Sequence, residues 1–118
     1  MPSSRGKFMI AMSLLLFLAI AATADAENPL IVEEAVIATD VEGLVPIGTG
    51  TAFPASIGKL YCFCAVAGAE VPTSIKHVWY YGEKQMLEVN LAVTYPKFRT
   101  YSSKMIRPEW KGSWRVDI

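Results

Sequence analysis

The chain opens on one uninterrupted apolar run and only later settles into short alternating segments. From Phe8 to Ala22 no charged residue occurs, Arg5 and Lys7 precede the run, and small residues follow it. This basic, apolar, small-residue order is that of an export signal. The run falls short of the roughly 20 apolar residues that a membrane-spanning helix needs. Residues 1–26 therefore read as a signal-peptide helix that is removed. Two small-x-small sites compete, Ala22-Thr23-Ala24 and Ala24-Asp25-Ala26, and the second directly precedes the acidic, proline-containing start Glu27-Asn28-Pro29. Cleavage is expected after Ala26, placing the protein in the periplasm or outside the cell. The alternative is an uncleaved anchor, the one route by which the chain would stay on a membrane. No cysteine follows the run closely, which argues against a lipid anchor.

Beyond residue 26 the pattern is that of strands. Glu33–Val41 is apolar and rich in β-branched residues. Residues 42–58 carry four glycines and two prolines among Leu44, Val45, Ile47, Phe53 and Ile57, and read as a long loop packed on the domain, a candidate surface. Lys59–Ala67 has Leu60, Cys62, Cys64 and Val66 on one face and Tyr61, Phe63 and Ala65 on the other. With both faces apolar it is expected to be a central strand. Ile75–Tyr81 and Gln85–Val93 flank Gly82-Glu83 as a hairpin. A plain two-residue turn sets Trp79 opposite Met86 and His77 opposite Glu88. A bulged turn sets Trp79 against Leu87 and His77 against Val89, and the sequence leaves both open. Phe98–Met105 follows the turn at Pro96. Gly112–Ile118 alternates Trp114, Val116 and Ile118 against Ser113, Arg115 and Asp117, as a half-buried strand does. Six strands without helical periodicity predict one all-β sandwich over 27–118.

Composition adds two constraints. The 92 residues of 27–118 suffice for one core and not for two. Their charge is nearly balanced but uneven: residues 27–92 hold eight acids and three bases, and residues 93–118 hold two acids and six bases. Complementary neighbouring strands explain this, and so does a basic binding face. The two cysteines, Cys62 and Cys64, stand two apart in a strand, near 6.5–7 Å at Cα with parallel side chains. That is poor disulfide geometry, so two core thiols are expected.

Candidate chemistry is thin. Ser56-Ile57-Gly58-Lys59 has the S-x-x-K spacing of serine acyltransferases but lacks their partner motifs. Phe53–Leu60 imitates the end of a phosphate loop without its first glycine or its metal-binding hydroxyl, and Gly48-Thr49-Gly50 has no helix to open. His77 is the one histidine, expected to be structural and to pair with Glu88. No catalytic residue and no cofactor is assigned. Cys62, Cys64 and His77, with Met86 beside them, form an alternative soft-metal set, since copper(I) favours such ligands. Aromatics and bases interleave from Tyr95 to Lys104 and again around Trp110 and Trp114. Arg99, Tyr101, Lys104 and Trp110 are accordingly the candidate binding residues, for an envelope protein or polymer rather than nucleic acid.

Gly58-Lys59-Leu60-Tyr61-Cys62-Phe63, His77-Val78-Trp79-Tyr80-Tyr81, Arg99-Thr100-Tyr101-Ser102-Ser103-Lys104 and Trp110-Lys111-Gly112-Ser113-Trp114-Arg115-Val116 resemble, in that order, a bacterial family known as domain of unknown function 2914. The resemblance runs from about residue 35 to residue 118. It implies an extracytoplasmic, immunoglobulin-like domain and supplies no catalytic residues. Two features depart from the family. Tyr81-Gly82-Glu83-Lys84 replaces an Asn-Gly turn, and the chain stops at Ile118 where members continue into a further turn and strand. That stop implies either a truncated sequence or a terminal strand, Trp114–Ile118, exposed for pairing with another chain.

Overall fold

The structure is a computed structural model that describes the backbone of residues 4–9 and 16–24 and all atoms of residues 30–118. Among the described residues there are ten strands: β1 (Ser4–Met9), β2 (Leu16–Ala24), β3 (Ile31–Ala38), β4 (Asp40–Glu42), β5 (Val45–Ile47), β6 (Lys59–Ala67), β7 (Thr73–Tyr81), β8 (Lys84–Val93), β9 (Phe98–Met105) and β10 (Gly112–Asp117). Two sheets make the sandwich. One has the order β1-β2-β10-β7-β8 and the other β3-β6-β9, while β4 and β5 form a separate hairpin. The six main strands stand where the alternation placed them, and β6 is the central strand of its sheet.

The core follows from period two. Ile37, Leu60 and Cys62 from one sheet meet Trp79, Trp114 and Val116 from the other, with Phe53 and Ile106 closing that end. Cys64 and Val66 meet Ile75 and Val93 at the opposite end. Each such side chain removed from water contributes roughly 1.5–3 kcal/mol before entropy is counted. Both thiols are free and buried, as their spacing implies.

The hairpin register combines the two alternatives. The turn is the two-residue one, with Tyr81 opposite Lys84 and Gly82 at φ 58°. One further step along, Tyr80 faces Gln85 and Trp79 faces Leu87, so Met86 is the extra residue of a bulge. His77 therefore lies opposite Val89, and the expected partnership with Glu88 does not form: Glu88 pairs with Lys76 at 3.5 Å instead.

Residues 42–58 are more ordered than a packed loop. Gly43 (φ 56°) and Leu44 (φ 60°) turn β4 back onto β5. Gly50 bridges to Ile37, and a single 3-10 turn spans Ala55–Ile57. Phe53 is buried, but Leu44, Val45 and Ile47 are exposed.

The leader helix is not seen. Residues 4–9 and 16–24 are strands, and the cleavage position at residues 25–26 lies outside the described residues. An apolar segment can satisfy its backbone either within a helix or along a sheet edge, and β10 offers an edge. β2 runs parallel to it, from Leu16 opposite Gly112 to Ala21 opposite Asp117. The β10 strand expected to be exposed is thus covered by β2.

Candidate functional site

The register fixes which side chains point away from the core. Cys62 and Cys64 face inward, so their neighbours Tyr61, Phe63 and Ala65 face outward. Opposite these three on β9 stand Ser103, Tyr101 and Arg99, and on β3 stand Ala38, Val36 and Glu34. The outer face of β3-β6-β9 is therefore largely apolar, an unusual arrangement for a strand surface facing water. Part of it is covered. The Arg99 guanidinium lies over the Phe63 ring at 4.8 Å, and its Nε–H donates to the carbonyl of Leu44 at 3.1 Å, tying the β4–β5 turn to β9. Phe63 is fully buried as a result. The rest stays open: Tyr101 is 40% exposed, Met105 63% and Leu44 45%. Tyr61 and Tyr101 pack as a tilted pair at 5.9 Å, with Lys59 over Tyr61 at 5.1 Å.

Of the four candidate binding residues, Arg99 and Tyr101 share this face. Lys104 and Trp110 belong to a second cluster. Trp110, in the connection from β9 to β10, lies 6.0 Å from Trp114 and 6.5 Å from Tyr81. Lys104 Nζ stands 4.9 Å from its centroid and the Arg107 guanidinium 5.6 Å. The Trp114 indole N–H donates to the Trp110 carbonyl at 3.1 Å, and the Tyr81 hydroxyl donates to the Lys111 carbonyl at 2.6 Å. Arg107 is also paired with Glu109 at 2.9 Å. Trp110 thus seals one end of the core, and two cationic groups stand over its ring. Sequence reasoning grouped the four residues because they follow one another in the chain. It passed over Tyr61 and Lys59, whose common face was latent in the β6 alternation, and it marked Leu44 only as part of the candidate surface 42–58, with nothing to set it beside Arg99.

The buried polar residues form a third group. His77 Nδ1 lies 2.6 Å from Ser102 Oγ, His77 Nε2 lies 3.3 Å from Cys64 Sγ, and the Trp79 indole N–H donates to Ser102 Oγ at 3.1 Å. One assignment satisfies these contacts at least cost. The Ser102 hydroxyl donates to Nδ1, Nε2–H donates to the sulfur, and only a weak S–H donor is left over. The other tautomer would strand an O–H in the core. Burial pulls His77 from its ordinary 6.5 down to about 4 and pushes the Cys64 thiol up to about 12. Burial, then the neighbouring Cys64, raises Cys62 well above its usual value. His77 is therefore neutral and both thiols are protonated. The network links β6, β7 and β9 across the sandwich. It does not supply the soft-metal alternative, because among the described residues no three His, Cys, Asp or Glu side chains converge to hold an ion. Ser56 stands exposed on its 3-10 turn, while Lys59 leans over Tyr61.

Residues 72–118 match the family model described as protein of unknown function (DUF2914), a span that takes in β7 to β10. No curated protein and no solved structure matches the chain.

Proposed function

We propose that this DUF2914-like chain is an exported, non-enzymatic binding module of the cell envelope, and that its contact surface is the outer face of β3-β6-β9. The observation that carries the reading is the open part of that face: Tyr61, Tyr101, Met105 and Leu44 beside the cations Lys59 and Arg99. Apolar patches of this kind on a small domain mark interaction sites, and aromatics with arginine are the side chains most enriched at protein interfaces. The partner that fits is a protein presenting apolar side chains ringed by carboxylates. The excess of bases over acids in residues 93–118 favours such a partner and speeds its approach.

The test places a photo-cross-linking amino acid at Tyr101, and separately at Glu83 on the far hairpin, in the exporting cell. A discrete adduct is expected from position 101 only, lost when Arg99→Glu is added. Equal adducts from both positions, or an adduct indifferent to Arg99, would overturn the assignment. Cell fractionation and the N-terminus of the recovered protein report on export itself.

A further inference from the structure

In the uncleaved chain β10 has a neighbour on each side, β7 on one and β2 on the other. The Ser113 carbonyl accepts from Gly82 N–H at 2.9 Å, so it points toward β7. Backbone groups alternate between the two edges of a strand, and those of Trp114 and Val116 therefore point to the side that β2 covers. Cleavage after Ala26 takes β2 away and leaves these groups as a template for another strand.

We infer that a second copy of the processed chain takes this place, through antiparallel pairing of β10 with β10 about Val116. The inference rests on the export reading, since it needs residues 1–26 to leave. Charge selects the register. Centred on Val116, the pairing sets Arg115 of each copy against Asp117 of the other, twice by symmetry. Centred on Arg115, it would oppose two guanidinium groups.

Backbone parity agrees with charge. Val116 points its N–H and C=O outward, so it makes a hydrogen-bonded pair with its own copy. Arg115 and Asp117 then fall at the non-hydrogen-bonded positions, where strands bring side chains closest, at roughly 4.5 Å between Cα atoms. Within one copy Arg115 Nε already donates to Asp117 at 2.7 Å, with the guanidinium 4.2 Å from the Tyr80 ring. Pairing would close four alternating charges into one ring. The product is a continuous six-stranded sheet, β8-β7-β10 joined to β10-β7-β8.

The experiment uses the full chain with a specific protease site inserted between Ala26 and Glu27, cut after purification, and sedimentation velocity before and after cutting. The uncut chain is expected to be monomeric and the cut chain dimeric. Arg115→Asp or Asp117→Arg alone should weaken dimerisation by at least about tenfold through like-charge opposition, and the double exchange should restore it to within about threefold. The double exchange also restores the pair within each copy, and circular dichroism of every variant separates loss of pairing from loss of fold. A cut chain that stays monomeric, an uncut chain that dimerises equally, or a dimer indifferent to both single exchanges would overturn the inference. A chain recovered from cells with Met1 still attached overturns the export reading and leaves the outcome of cutting to decide this one.

Discussion

His77 enters the core as a neutral ring because burial penalises its charge, and its protonation is consequently tied to unfolding. Its folded value of about 4 lies below the ordinary 6.5, so between these limits the unfolded chain binds more protons. The stabilising contribution is complete above about pH 7, declines as pH falls from 6.5 toward 4, and is constant below that. The span corresponds to about 3 kcal/mol. Urea midpoints measured at pH 7 and pH 4.5 should fall less in His77→Gln than in the native chain, and parallel curves would contradict the assignment. The thiols give a second expectation at this scale. With Cys64 pushed up to about 12 and Cys62 raised as well, iodoacetamide at pH 8 should leave both unmodified in the folded protein and alkylate both in denaturant. Rapid labelling of either in the native state would show that the core is open.

Among the elements, the β4–β5 hairpin carries the clearest conflict between local preference and sequence. A two-residue turn with both φ values positive wants Gly, Asn or Asp, and Leu44 occupies the second position at φ 60°. A non-glycine side chain there costs about 1–2 kcal/mol, while Leu44 is 45% exposed and regains little of this by burial. Leu44→Asn should therefore raise stability by about 1 kcal/mol in thermal or urea unfolding. If Leu44 is a contact residue, the same change weakens the cross-link at Tyr101. A loss of stability would mean that the Leu44 side chain packs better than its exposure implies.

For the whole molecule, the two tryptophans of the terminal region separate fold from surface. Trp114 is sealed between the sheets, and Trp114→Ala should cost about 3–5 kcal/mol, read as a fall in thermal midpoint. Trp110 is half-buried at the end of the core, so Trp110→Ala should cost less than Trp114→Ala. It should also leave cross-linking at Tyr101 intact, because the proposed contact face is elsewhere. Loss of the Tyr101 adduct in folded Trp110→Ala would move the contact surface to the β9–β10 connection.

Strand positions, the central place of β6 and the pairing of two free thiols with the core were legible in the sequence, because period-two alternation is a local property set by which side chains water rejects. Half of the candidate site was legible on the same ground: Arg99 and Tyr101 share a face by being two apart. The same parity sets Lys104, three residues on from Tyr101, on the opposite side of β9. Which strands lie beside one another is not local, and so the sequence could not place Trp110, bring Tyr61 and Lys59 alongside Tyr101, or fold Leu44 onto Arg99. The bulge at Met86 shows the same division. Gly82-Glu83 located the hairpin but left its turn open, and only the packing of Trp79 and His77 between two sheets decided that a two-residue turn is followed by a register slip of one residue, giving His77 the partners Ser102 and Cys64 in place of Glu88.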